Sequence, residues 1–211
     1  MKQSIIIYIT IIILLLSMVV LFITKYQIFS SGEIRDYKVI LAELKNGDLI
    51  FRKGRSLESF IVCLADEEKE FSHVGLIVLR KGIPFVIHAV PGESDRVEDF
   101  IKMERVEAFL STEKASAFAV YRPEFETEIV KHATEIALQF YESKYTFDYE
   151  YNLNSESKLY CTELIFKAFR EAGVQLTGIY QSTVDFGFVQ KQIILPAAFL
   201  KNPSFTRINY N

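Results

Sequence analysis

The chain has 211 residues, is 50% hydrophobic and carries a net charge of −3, yet 21 of its first 30 residues are apolar. Setting that segment aside removes only Lys2 and Lys25, which leaves 22 Lys and Arg against 27 Asp and Glu. An acidic remainder lacks the basic face that neutralises phosphates and argues against nucleic acid as a partner. About 180 residues fit one well-buried domain, and two cysteines are too few for a disulfide scaffold.

Ile5 to Thr24 is a run of 20 residues without a charge. At about 1.5 Å per residue it matches a hydrocarbon core of roughly 30 Å. A cleaved signal has a shorter apolar core followed by small residues; here the run passes into Lys25-Tyr26-Gln27-Ile28-Phe29, which favours an uncleaved anchor. Residues 1–30 are therefore expected to hold the chain in a lipid bilayer through residues 5–24, with 31–211 as one folded domain. Lys25, Arg35, Lys38 and Lys45 follow the span, a weak bias toward a cytoplasmic domain.

Beyond the anchor, Ile34, Tyr37, Ile40, Leu41 and Leu44 fall at helical spacing. Asn46-Gly47-Asp48 signals a turn into a strand at Leu49-Ile50-Phe51. Ser56 to Asp66 reads as a helix with Leu57, Phe60, Ile61 and Leu64 on one face, and Cys63 beside that face as a small buried hydrophobe. Phe71 to Leu79 and Ile83 to Val90 form a hairpin about Arg80-Lys81-Gly82. Residues 97–110 fit either a helix or a strand-turn-helix. Ala117 to Tyr121 is a strand, Glu124 to Glu142 a helix with an Ile129, Ala133, Ile136, Ala137, Phe140 stripe, and Lys144 to Lys158 a Tyr-rich loop. Cys161 to Ala172 is a helix stopped by Gly173, and the tail holds a short apolar run at Ile193 to Leu195 before a helix-starting Pro196.

Three histidines can each be weighed. His132, at the edge of a helical stripe, needs no functional explanation. His73 and His88 lie in the two hairpin strands. With a two-residue Lys81-Gly82 loop, Arg80 faces Ile83, His88 falls opposite Gly75, and both imidazoles share one face as diagonal neighbours. A three-residue loop would separate them. Taken alone, the hairpin is as well explained by two satisfied core histidines as by a site.

Cys161 opens a helix whose Leu164, Ile165, Ala168 and Phe169 lie on its own side, so the thiol is expected to point into the fold. The helix N-terminus favours a thiolate, and a neighbouring imidazolium would favour it further. That pattern suits an attacking thiol, a histidine that carries its proton, and a third polar group that orients the ring. The Cys161 backbone N–H would help hold an oxyanion. On spacing alone, a buried inert cysteine is the safer reading. A zinc site built from His73, His88 and Cys161 would lack the close-spaced ligand pairs such sites use, so no metal and no cofactor is expected.

GDLIF (47–51), SHVGLIV (72–78), FVIHAVPG (85–92), SKYTFDYEY (143–151) and YCTELIFKAF (160–169), in this order, resemble the circularly permuted papain-like enzymes related to NlpC/P60, in particular the YaeF/YiiX group. The resemblance implies an α+β, permuted papain-like fold in which an antiparallel barrel-like sheet packs on helices, with 31–211 as its catalytic domain. Position by position, Cys161 corresponds to the nucleophile, His73 to the general base and His88 to the third polar residue. Many members of that group have a Glu in this last place, so His73 would lose an anionic partner. Tyr160 and Asp148 lie in matched motifs as residues lining the site, although packing for Tyr160 and loop bracing for Asp148 account for them as well. The implied chemistry is a thiol hydrolase acting on an amide or ester through an acyl-enzyme. The substrate would be a cell-envelope peptide or a lipid-like acyl compound, with a lipid acyltransferase or deacylase and an inactive envelope binding module as alternatives. Envelope substrates would put the domain on the extracytoplasmic side, against the charge bias.

Overall fold

The computed structural model describes residues 2–30, 37–92, 98–185 and 190–209. Helix α1 (Lys2–Ser30) is apolar all round, and none of the residues in its most apolar stretch, within Ile7–Ile28 at mean hydropathy 2.9, is buried inside the fold. A helix of that length and polarity can cross a membrane or act as a signal.

Six strands make the central sheet: β1 (Leu49–Gly54), β2 (His73–Arg80), β3 (Ile83–His88), β4 (Lys102–Arg105), β5 (Ala115–Pro123) and β10 (Phe205–Arg207), in the order β10-β5-β1-β2-β3-β4. Every neighbouring pair is antiparallel. The period-2 alternation of an antiparallel strand sends successive side chains to opposite faces. Leu49, Phe51, Leu76, Val78 and Ile87 accordingly meet α4 (Thr127–Glu142) and α5 (Cys161–Glu171) in the larger core, through Ala133, Ile136, Leu164 and Ile165 among others. Ile50, Ile77, Val86 and Val120 face the other way, onto Ile40, Leu44 and the short helix α3 (Val106–Phe109). The expected α+β arrangement of an antiparallel sheet packed on helices is thus present, and residues 97–110 resolve as strand and helix from residue 98 onward.

The hairpin has the register deduced from its turn. Arg80 pairs with Ile83 and Leu76 with Ile87. Lys81 and Gly82 both have positive φ, 52° and 77°, as a two-residue turn of the mirror-image type requires. A Cβ on Gly75 would come within 2.3 Å of Val86 Cγ1 and 3.1 Å of the His88 Cβ, so the glycine makes the room the imidazole needs.

Helix α2 (Leu57–Ala65) starts at Ser56, whose Oγ accepts from the Ser59 N–H at 3.2 Å. Here the structure corrects the expected packing: Phe60 and Cys63 are buried, but Leu57, Ile61 and Leu64 are exposed. The turn before β1 is tighter than the amphipathic spacing suggested, a 3₁₀ turn at Tyr37–Val39 that still buries Ile40 and Leu44; Ile34 and Arg35 lie outside the described residues. The Tyr-rich loop contains β6 (Thr146–Phe147), paired in parallel with β7 (Lys158–Leu159). The tail adds β8 (Ser182–Asp185), β9 (Gln190–Ile193) and α6 (Ala197–Leu200). Gly75→Ala should lower stability by about 1–3 kcal/mol through overpacking, measured by thermal unfolding; an unchanged melting temperature would show that the strand yields to the methyl group.

Candidate active site

His73 is the first residue of β2 and Cys161 the first of α5, and both line a single cavity of about 560 Å³. Its walls come from α2 (Ile61, Val62), from the loop after β6 (Tyr149, Tyr151) and from Ile193 to Pro196. That size and apolar lining suit a small-molecule or acyl substrate.

The two imidazoles meet directly: His73 Nε2 lies 2.9 Å from His88 Nδ1. His88 continues the chain, its Nε2 standing 3.2 Å from Glu104 Oε1, and Lys114 Nζ closes it 3.0 Å from Glu104 Oε2. Burial would raise the Glu104 carboxyl, yet His88 and Lys114 outweigh it and hold the group at about 2. A permanent carboxylate accepts only, which assigns the tautomers in turn. His88 must carry its proton on Nε2, its Nδ1 then accepts from the His73 Nε2–H, and His73 Nδ1 is left as the free base. Glu104 thereby supplies the anion whose loss the sequence implied.

Burial first, then the electrostatic influence of Arg52, His88 and Lys114, hold the His73 imidazole well below the usual histidine range. Arg52 is fixed by its Nη1 donating to the Phe109 carbonyl at 3.0 Å, with its guanidinium 4.5 Å from the centre of that ring. The Cys161 thiol is pushed up by burial, against the opposing pull of the Val74, Thr162 and Cys161 backbone N–H groups. The resting pair is therefore neutral thiol and neutral imidazole, not the ion pair that the helix N-terminus suggested: desolvation wins over the dipole. No hydrogen bond joins the thiol to His73 among the described residues.

Tyr160 lines the cavity and clamps the start of α5, because its hydroxyl accepts from the Ile194 N–H at 3.1 Å while Thr162 Oγ1 donates to the Ile194 carbonyl at 2.5 Å. Asp148 is not among the residues lining the cavity. Its carboxylate accepts from the Glu150 and Asn152 N–H groups at 2.9 and 2.7 Å and from Ser155 Oγ at 3.2 Å, bracing the loop. Cys63 is buried, its thiol pushed up to about 11, and His132 sits on the outer surface of α4 with Glu135 at 3.7 Å.

Alkylation of Cys161 by iodoacetamide, in a Cys63→Ser background, should accelerate with pH through and beyond 9, the ordinary thiol value. A rate already at its plateau at pH 7 would mean that the thiolate is the resting form.

A family model described as a permuted papain-like amidase enzyme, YaeF/YiiX, C92 family, matches residues 43–209. The chain is 24% identical over 152 residues to the uncharacterized protein YiiX of Escherichia coli K12, covering 71% of this chain and 69% of that one. Its fold is similar to the crystal structure of metalloprotein yiiX from Escherichia coli O157:H7, with a TM-score of 0.64 and 20% identity, over 79% of this chain and 97% of that one. Among the described residues no three His, Cys, Asp or Glu side chains group as metal ligands, and His73 and His88 spend their facing nitrogens on each other. On the match over residues 43–209, the chain belongs to the permuted papain-like amidase family of YaeF and YiiX.

Proposed function

We propose that the protein is a membrane-anchored cysteine hydrolase that cleaves an amide or ester bond through an acyl-enzyme on Cys161. The observation that carries this is the oriented chain His73–His88–Glu104 opening onto the cavity that holds the Cys161 thiol. In the first step the thiol proton passes to His73 Nδ1 as Sγ bonds to the substrate carbonyl carbon. The C–N or C–O bond then breaks, and His73 returns the proton to the departing amine or alcohol. Water, deprotonated by His73, attacks the thioester and regenerates the thiol. The imidazolium formed in each half-reaction leans on Glu104 through His88, so Glu104 is a positioning residue. The Cys161 N–H, in the first turn of α5 where backbone donors lack helical partners, faces the developing oxyanion.

Residues 5–24 hold the domain to the bilayer, and the domain lies on the extracytoplasmic side, where envelope peptides are found. A second substrate class, lipid esters or amides, is favoured by the exposed apolar stripe Leu57, Ile61, Leu64 beside the cavity. Stem-peptide and lipid-extract panels, run with the same enzyme, separate the two.

Cys161→Ala should abolish labelling by an acyl-transfer probe and all turnover; persistent labelling would sink the assignment. His73→Ala should lower kcat by about 10²–10⁴. The base works when neutral, and its folded value lies well below 6.5, so kcat/KM should stay level as pH falls through 6.5 and decline only further into acid. Glu104→Gln removes the anion that favours the imidazolium, and the acid limb should move to still lower pH while kcat falls by at least about tenfold. An unshifted limb would reduce Glu104 to a structural part.

A further inference from the structure

Helix α2 presents Leu57, Ile61 and Leu64 at 45%, 37% and 53% exposure even with α1 in place. Spaced i, i+4 and i+7, they form one continuous stripe, and an isolated domain in water would not gain by displaying it. The same helix is fastened to α1 along the flank of that stripe. Phe60 packs edge-on against Phe22 and Tyr26, with ring centroids 5.4 and 5.7 Å away, and the Tyr26 hydroxyl donates to the Arg55 carbonyl at 2.9 Å.

Those contacts fix a depth. Phe22 lies six residues before Ile28, where the apolar span ends, so it stands about 9 Å inside that end at 1.5 Å of rise per residue. Interfacial helices bury their apolar faces about 5–10 Å into the boundary between headgroups and chains. If α1 spans, Phe60 is drawn to the same level and the stripe beside it has nowhere to face except lipid.

We infer that α2 is an interfacial helix that seats its Leu57, Ile61, Leu64 stripe in the bilayer holding α1, and so sets the mouth of the Cys161 cavity at the membrane surface. The inference rests on the reading of residues 5–24 as an anchor. Ile61 belongs both to the stripe and to the cavity wall, which makes the rim of the cavity and the lipid contact one continuous surface. An acyl compound resident in the membrane could then reach the thiol without crossing water.

The chain contains no tryptophan, so Leu64→Trp, and separately Leu57→Trp, each introduce a single reporter outside the cavity lining. Full-length protein is reconstituted in phosphatidylcholine–phosphatidylglycerol vesicles, and carbonate extraction of the same vesicles reports on α1. Unchanged iodoacetamide kinetics at Cys161 show that each variant is folded. The expected result is blue-shifted emission with roughly a twofold or greater loss when lipids are brominated near the headgroup, and a smaller loss when they are brominated near the chain end. Water-like emission from extraction-resistant protein overturns the seating of α2 and leaves the anchor standing. Blue-shifted emission that ignores the bromine and fades on dilution in lipid means that a second copy covers the stripe, which also overturns it. Release by carbonate overturns anchor and seating together, while probe labelling of Cys161 still reports separately on the hydrolase reading.

Discussion

A turn of two residues sets the geometry on which the site depends. Because Lys81 and Gly82 both take positive φ, β2 and β3 pair so that His73 and His88 fall on one face, and their rings can come within 2.9 Å. One residue more would have turned every side chain of β3 to the opposite face, exchanging the imidazole for Ile87 or Ala89. Gly75 is the complement of that turn, giving up its side chain where the His88 ring stands. The fold thus secures a polar contact by steric means, inside a sheet whose inward positions are mostly apolar, Arg52 beside His73 being an exception.

Electrostatics then determine what the contact can do. His73 is buried among Arg52, Phe109 and His88, whereas Glu104 and Lys114 form a carboxylate–ammonium pair that is only partly shielded. A charge on His73 at rest would cost more than Glu104 repays at a distance of one imidazole. The same arrangement favours a transient imidazolium, because the proton's arrival polarises the His73–His88 hydrogen bond, with the Glu104 carboxylate 3.2 Å beyond it. Catalysis in such a site draws on a charge that exists only during the reaction.

Much of this was legible in the residues themselves. The hairpin register followed from parity and turn length, and the Cys161 helix from its apolar spacing and the Gly173 stop. Glu104 was not legible: a Glu in a four-residue strand with Lys, Met and Arg as neighbours carries no local signal, and only the pairing of His88 with Lys102 brings β4 alongside. The α2 stripe misled for a different reason. Helical periodicity marks an apolar face without saying what it faces, and here Phe60 turns toward α1 while the stripe turns away from the core. The strands β8, β9 and β10 escaped notice because three or four residues mixing Gln, Lys and Thr do not establish a period.

The clamp at Ile194 bears on the order in which the molecule is made. The turn carrying Cys161 is tied to a residue more than thirty positions later, the Tyr160 hydroxyl accepting from the Ile194 N–H and Thr162 donating to the Ile194 carbonyl, and β5 is completed by β10 later still. A ribosome therefore finishes the hairpin with its paired imidazoles, and the α5 residues that pack on α4 and β2, before Ile194 is made to complete the hydrogen bonds beside Cys161. Under the proposed function, the surroundings of the Cys161 thiol are thus completed only when the segment around Ile194 has joined the fold.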